Sequence, residues 1–136
     1  MEIENSDKNN KTDSIKEQKI EFIKEISLEI LEDLKKIPKD RVGFVVIKGP
    51  SIGEKFFIAK PIFNIGRSAD SDILLDDITV SRKHAVIKKI DNKYVLTDMG
   101  SLNGSYVNGV IVNEIELNNG DKIQIGKYVF LFFSSI

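Results

Sequence analysis

The stretch His84-Ala-Val-Ile-Lys-Lys-Ile90, followed by Asp91-Asn92 and by Tyr94-Val-Leu-Thr-Asp98, carries the clearest structural signal of the sequence. Its two runs are short and rich in β-branched and aromatic residues, which favour extended backbone. The Asp and Asn between them tolerate the positive backbone angles of a tight turn. The stretch therefore predicts two paired β-strands.

Short runs of the same character lie on both sides of this pair. They cover residues 42–48, 55–59, 62–65, 73–75, 106–107, 122–125 and 128–133. Asn108-Gly109, Asn119-Gly120 and Gly126 punctuate these runs with turn chemistry. Many short strands with no helix between them predict an all-β fold, an antiparallel β-sandwich that occupies residues 42–136.

The sequence before Pro38 has a different character. Residues 1–13 are polar and lack periodicity, which predicts a disordered tail. Ser14 and Glu17 form a capping-box pattern at the start of an amphipathic α-helix over residues 14–37, which Pro38 ends. The apolar stripe of this helix consists of Ile23, Ile26, Ile30, Leu34 and Ile37. Such a stripe needs an apolar partner, and both packing on the following domain and self-association stay open.

The composition limits the classes of function. With 20 basic and 21 acidic side chains, the net charge of −1 offers no broad positive field for nucleic acid or anionic lipid. The polar face of the helix is rich in Glu, which also disfavours a membrane surface. The chain has no cysteine and a single histidine, so we expect no metal cluster and no cofactor. The N-terminus lacks the pattern of a signal peptide, and we expect a cytoplasmic location.

A search for catalytic groups finds little. Ser81, His84 and Asp98 have the residue types of a hydrolase triad. Residues three apart on an extended segment point to opposite faces, however, and no nucleophile elbow precedes Ser81. No Lys-Ser or Lys-Thr pair follows Gly66-Arg67-Ser68, so nucleotide binding is not supported. The carboxylates at positions 70, 72, 76 and 77 lack the glycine and closing glutamate of an EF-hand. We therefore expect a protein that is not an enzyme.

Four loop residues are suited to holding a single phosphate group. Arg67 and Arg82 carry forked cations, and Ser81 carries a hydroxyl donor. Asn103 carries an amide that can pair with the backbone of a peptide. Because the whole chain is nearly neutral, recognition of phosphate has to be local.

These residues lie within ordered blocks that resemble the forkhead-associated (FHA) family. The blocks are Phe63-Asn-Ile-Gly-Arg-Ser68, Asp72-Ile-Leu-Leu75, Val80-Ser-Arg-Lys-His-Ala85, Leu96-Thr-Asp-Met-Gly-Ser-Leu-Asn-Gly-Ser-Tyr-Val-Asn-Gly109, and, as the fifth, Leu117 together with Asn119-Gly-Asp-Lys-Ile-Gln-Ile-Gly126. A single Gly-Arg pair carries no information, but five blocks in the family's order are not expected by chance. The resemblance covers about residues 42 to 133 and implies the FHA/SMAD-like sandwich.

The resemblance also implies roles for individual residues. Arg67 and Ser81 would bind the phosphate of a phosphothreonine peptide, Arg82 would assist, and Asn103 would hold the main chain of the peptide. Three further residues, Gly66, His84 and Gly104, would support the binding loops.

Two positions depart from the family's common pattern. Leu102 stands where many members carry Thr, and Ser105 replaces the common Thr after Asn-Gly. Thr79 brings no charge to the segment before Ser81. We therefore expect an apolar or unselective preference three residues after the phosphothreonine.

The sequence thus predicts a phosphothreonine-peptide binding adaptor in serine/threonine kinase signalling, with phosphorylated proteins and a kinase as partners. Thr12 lies in the tail with Ile15 three residues after it, and once phosphorylated it is a candidate ligand for the chain's own site. The alternative is a structural protein that assembles through the N-terminal helix independently of phosphate. We expect neither nucleic acid nor membrane as a partner.

Overall fold

The computed structural model describes residues 41–134 together with Leu28. Eleven strands account for most of this part of the chain. They are β1 (Val42–Lys48), β2 (Lys55–Ile58), β3 (Ile62–Gly66), β4 (Ile73–Leu74), β5 (Ala85–Ile90), β6 (Lys93–Asp98), β7 (Ser105–Val107), β8 (Val110–Val112), β9 (Glu114–Leu117), β10 (Lys122–Ile125) and β11 (Tyr128–Ser134). The hairpin that the sequence predicts is β5 and β6, and Ile90 pairs with Lys93 at its turn.

The strands form two sheets that pack as a sandwich, which confirms the all-β sandwich part of the predicted fold. One sheet has six strands in the order β2-β1-β11-β10-β7-β8, and the other has five in the order β4-β3-β5-β6-β9. Aromatic side chains of the first sheet meet those of the second in the core. Phe44 lies edge to face with both Phe63 and Phe130, at ring-centroid distances of 5.8 and 6.3 Å. Such contacts supply much of the energy of a small core.

The prediction of purely antiparallel pairing is wrong at one edge, where β3 and β4 run parallel. The cause is a reciprocal pair of side-chain contacts. Asn64 N–H donates to Asp72 Oδ2 at 3.0 Å, and Asp72 N–H donates to Asn64 Oδ1 at 2.8 Å. These two bonds hold the segment around Asp72 alongside β3, so that Ile65 lies opposite Ile73.

Two strands, β8 and β9, are absent from the prediction. Three residues of β8 follow the Asn108-Gly109 turn, and two of the four residues of β9 are glutamates, which are uncommon in strands. Pairing decides both elements: β8 bonds to β7, and β9 bonds to β6. Ile115 then packs against the main core. Local propensity is too weak to show such strands in advance.

The predicted tail and helix lie outside the described residues, apart from Leu28, which is helical and exposed. Both stay predictions. Among the described residues, no helix has the length and apolar character needed to cross a membrane. No cluster of three or more potential metal-ligating side chains is found within the same ranges.

Truncation of Phe44 should show how far the aromatic core carries stability. Its side chain is 1 % exposed and contacts three other phenylalanine rings. We expect Phe44→Ala to lower the free energy of unfolding by about 3–5 kcal/mol in urea denaturation, because the cavity cannot collapse between two sheets. Ile78→Ala, at a side chain 88 % exposed, is the control and should stay within about 0.5 kcal/mol of the wild type. Equal effects of the two changes would contradict this account of the core.

Candidate functional site

His84 ties together the loops at one end of the sandwich. Its ring is fully buried, and Nδ1 accepts the Ser81 N–H at 3.0 Å. Nε2 lies 2.9 Å from the Gly104 carbonyl oxygen, so it carries the proton and donates it there. The main chain of His84 is bonded as well, to Ile65 on one side and Met99 on the other. The structure thus places His84 between the loop that precedes β5 and the loop that precedes β7.

The same contacts remove the hydrolase triad from consideration. The Ser81 hydroxyl oxygen accepts the Leu102 N–H at 3.0 Å, and it is the main chain of Ser81 that contacts the imidazole. Asp98 accepts hydrogen bonds from Ser101 and Ser105. Because both ring nitrogens of His84 are engaged with backbone groups, neither is available as a base for Ser81.

Arg67 is held at the end of β3 by two contacts with the opposite loop. Its N–H donates to the Ser81 carbonyl, and its Nε donates to the Val80 carbonyl, each at 3.0 Å. The preceding Gly66 makes this approach possible, since a Cβ there would overlap the Arg82 carbonyl oxygen. The Val80 carbonyl engages Nε, and Arg67 is exposed, so the two terminal nitrogens of its guanidinium can bind an anion.

Ser81 and Arg82 follow on the facing loop. The Ser81 oxygen already accepts one hydrogen bond, so its hydroxyl proton is left to donate to a ligand. Arg82 is exposed, and its carbonyl oxygen accepts the Ser68 N–H at 3.2 Å. Lys83 beside it is also exposed. The loops therefore present a local set of cations although the chain as a whole has a net charge of −1.

Asn103 is exposed at the tip of the β6–β7 loop, and Asp98 holds this loop in shape. One Asp98 oxygen accepts the hydroxyls of Ser101 and Ser105 at 2.6 Å each, and the other accepts the Ser101 N–H at 3.0 Å. Ser101 Oγ in turn accepts the Gly104 N–H. Burial raises the pKa of the Asp98 carboxyl, but the hydrogen bonds from the two serines outweigh it and leave the pKa below its ordinary value.

Thr79 is the site residue whose role the sequence did not reveal. Its N–H and hydroxyl both donate to Asp77 Oδ1, at 2.8 and 2.6 Å. Its hydroxyl oxygen accepts the Lys127 N–H, and its carbonyl oxygen accepts the Asn103 side-chain amide, both at 3.0 Å. Asp77 and Thr79 have the spacing of an Asx turn, and this spacing is the sequence signal that could have indicated the contact between them. Thr79 thus connects the loops before β5, before β7 and before β11.

A groove of about 430 Å³ opens beside Asn103. It is lined by Thr79, Asn103, Gly104, Tyr106, Gly109, Gln124, Gly126 and Lys127. Close packing of Gly126 on Thr79 forms one end, because a Cβ at Gly126 would overlap the Thr79 hydroxyl. The groove lies next to the arginines and Ser81 through the shared residue Asn103, so an extended ligand can reach both places.

The structure brings the sequence-predicted residues into one region. Arg67 contacts the Val80-Ser81 segment, Ser81 contacts the Asn103 loop, and Asn103 contacts Thr79. Arg82 joins them only through its main chain. Leu102, at the position where many members of the family carry Thr, is 89 % exposed. Ser105 is fully buried and bonded to Asp98.

The chain is similar in sequence to known proteins. The sequence profile of the FHA domain matches residues 63–126. The glycogen accumulation regulator GarA of Mycobacterium tuberculosis is 44% identical over 98 residues, which are 72% of this chain and 60% of the relative. The oxoglutarate dehydrogenase inhibitor of Corynebacterium jeikeium is also 44% identical over 98 residues, with 72% of this chain and 68% of the relative covered. The match thus spans about 60% of the length of GarA.

A solved structure described in an analysis of phosphothreonine-dependent FHA domain interactions has the same fold. Its TM-score is 0.62 at 29% sequence identity, and the match covers 68% of this chain and 95% of that chain. The sandwich fold is therefore shared with this solved FHA domain over most of its length.

The Asp98 network predicts a pH-dependent contribution to stability. Replacement by Asn leaves the Ser101 and Ser105 groups poorly paired, so Asp98→Asn should lower the free energy of unfolding by about 1–3 kcal/mol at pH 7. The folded pKa of Asp98 is below the ordinary 3.8, so this difference is fully present above pH 3.8 and is lost as the pH falls through the folded pKa. Denaturation of both proteins across acidic pH measures it. A gap that widens as the pH falls would contradict the assignment.

Proposed function

This chain belongs to the forkhead-associated family, and from that premise we propose that it is a phosphothreonine-peptide binding module that acts as an adaptor in serine/threonine kinase signalling. The predicted family membership is confirmed, and with it the class of phosphopeptide-binding module. The individual residue roles remain proposals that rest on the geometry of the loops.

One observation carries the proposal. Nε of Arg67 donates to the Val80 carbonyl and the Ser81 hydroxyl oxygen accepts the Leu102 N–H, which leaves the terminal guanidinium nitrogens and the hydroxyl proton for a ligand. A phosphothreonine brings about −1.5 to −2 charges and three acceptor oxygens. Two or three charge-assisted hydrogen bonds of roughly 1.5–3 kcal/mol each then dominate a small interface. Arg82 adds a second cation at the rim.

Asn103 is placed to hold the peptide main chain beside the phosphate. Its amide nitrogen donates to the Thr79 carbonyl, which fixes the orientation of the side chain. Its amide oxygen then accepts an N–H of the ligand backbone. Gly104, at φ of 84°, allows the sharp loop conformation that presents Asn103.

The groove beside Asn103 receives the residues that follow the phosphothreonine. Thr79 lines this groove and carries no charge, but Lys127 lines the groove as well. A cation at this position favours an acidic or polar ligand side chain. Lys127 therefore opposes the apolar or unselective preference that the sequence predicts three residues after the phosphothreonine.

The partners we propose are phosphothreonine-containing proteins and the serine/threonine kinase that modifies them, in the cytoplasm. The two relatives are called a regulator and an inhibitor, which supports a binding role and not catalysis. The residue types of a hydrolase triad are present, but their hydrogen bonds serve the loops.

Binding of a phosphothreonine peptide library by the full chain tests this proposal. We expect Arg67→Ala and Ser81→Ala to weaken binding of a selected peptide by roughly 10- to 150-fold in calorimetry, the value of one charge-assisted hydrogen bond. Lys88→Ala, at an exposed position on β5, is the control and should bind as the wild type does. The unphosphorylated peptide should not bind.

If neither the wild type nor the variants bind any phosphopeptide while the fold is intact, the adaptor proposal is wrong. The alternative, a structural protein that assembles through residues 14–37, would then be favoured. Equal binding by the wild type and Arg67→Ala would reject the phosphate role of Arg67 while leaving the family assignment in place.

Phosphorylation of Thr12 gives a second test of the same site. We propose that phosphorylated Thr12, with Ile15 three residues later, occupies the Arg67 and Ser81 site of its own chain or of another copy. The amide resonances of Arg67, Ser81 and Asn103 should then shift on phosphorylation, and a Thr12→Ala protein treated in the same way should show no shift. Resonances that stay in place at every protein concentration would contradict self-binding.

A further inference from the structure

The six-stranded sheet has an apolar outer face as well as an apolar inner face. Along β1, the side chains of Val42, Phe44 and Val46 belong to the main core, so those between them point outward. The outward residues form a second cluster. It consists of Val45, Leu131 and Phe133, with Ile47 packed against them. We call these four residues the outer patch.

The outer patch is buried although none of the described strands lies over it. Val45 is 0 %, Leu131 4 % and Phe133 8 % exposed, whereas the other sheet of the sandwich covers the opposite face. A solvated sheet face normally carries polar residues at alternate positions. The run Tyr128–Phe133 is instead apolar throughout, which is the pattern of a strand buried on both faces. A cover from the remainder of the chain or from a partner is therefore required.

We propose that the apolar stripe of residues 14–37 packs on the outer patch of its own chain. A helix from Ile23 to Ile37 spans about 21 Å, and the seven residues of β1 span about 23 Å, so the helix can lie along the strand that carries Val45 and Ile47. The chain between Ile37 and Val42 can extend about 17 Å. That reach is enough to lay a helix across the sheet to which it is joined.

Leu28 supports the orientation that this packing requires. At 100° per residue, Leu28 lies about 160° from the middle of the stripe formed by Ile23, Ile26, Ile30, Leu34 and Ile37. It is helical and 62 % exposed. A helix whose stripe faces the sheet turns Leu28 to solvent, as observed.

Charge on the two surfaces is complementary. Val45 lies opposite Lys55 on β2, and Leu131 lies opposite Lys122 on β10, so lysines flank the outer patch on two sides. The predicted helix carries Asp33 and Glu29 beside its stripe, about 60° and 100° from the middle. These carboxylates can meet the lysines at the rim, where each pair adds a few tenths of a kcal/mol and favours the docked register.

A second copy of the chain is the rival occupant of the outer patch. The predicted helix of the same chain ends only a few residues before β1, which gives an effective concentration in the millimolar range. Two copies in dilute solution must overcome the loss of translational freedom without that advantage. The covalent connection thus favours packing within one chain.

A spin label at Leu28→Cys tests the docking, because the natural chain has no cysteine to compete for the label. We expect paramagnetic broadening of amide resonances in β1 and β11, with β5 and β6 of the other sheet much less affected. Broadening of an isotope-labelled chain mixed with a spin-labelled, isotope-free chain would show that a second copy is the occupant and would overturn the proposal. Absence of broadening in the six-stranded sheet would overturn it as well.

A matched pair of charge insertions provides an independent readout. Ile30→Asp places a carboxylate in the stripe and should lower Tm by about 10 °C. Leu28→Asp, on the opposite side of the helix, should leave Tm within about 2 °C of the wild type. Ile30→Asp should also make the amide hydrogens of β1 exchange faster. Equal Tm values for the two variants would refute docking of the stripe. Phosphopeptide binding is not needed for either experiment, so failure here leaves the proposed function untouched.

Discussion

The binding end of this protein depends on the two hydrogen bonds made by the ring of His84. One joins it to the Ser81 main chain and the other to the Gly104 carbonyl, so a single buried side chain sets the distance between the two loops that carry Ser81 and Asn103. A buried ring with both nitrogens paired is stable in place, while either bond left unmade would cost the desolvation of a polar group. Histidine here is a structural brace, although its neighbours have the residue types of a catalytic triad.

Around His84, each side chain that is proposed to contact the ligand also makes a hydrogen bond within the protein. Val80 holds the Arg67 guanidinium, Leu102 holds the Ser81 hydroxyl, and Thr79 holds the Asn103 amide. Such preorganisation lowers the entropy that a peptide must overcome on binding. In the proposed role, local cations and directed donors would replace a general positive field when a chain of net charge −1 binds a doubly charged phosphate.

The sandwich supplies rigidity to these loops and has a second apolar surface to bury. The core between the sheets holds the strands whose ends carry the loops, and the outer patch lies behind β1 and β11 at the centre of the larger sheet. A helix packed there would complete a three-layer arrangement and leave the binding loops open, because it covers the face of the sheet and not its end. The N-terminal segment would then be part of the folded unit rather than a tether.

Much of this molecule can be recognised from local signals. The β5–β6 hairpin, the turns at Asn108-Gly109 and Asn119-Gly120, and the ordered blocks around Arg67, Ser81 and Asn103 are visible because residue type and spacing act over a few neighbouring positions. The parallel β3–β4 edge, strands β8 and β9, the connecting role of Thr79 and the close approach of the Arg82 carbonyl to Gly66 are not visible in this way. Each depends on a group distant in sequence, such as the Arg82 carbonyl that approaches Gly66 or the Lys127 amide that bonds to Thr79. The amino-acid sequence by itself determined most of the strands and the residue types at the proposed binding loops, whereas only the tertiary structure decided which backbone groups hold these residues in place, because hydrogen-bond partners far apart in the chain meet only after the sheets have formed.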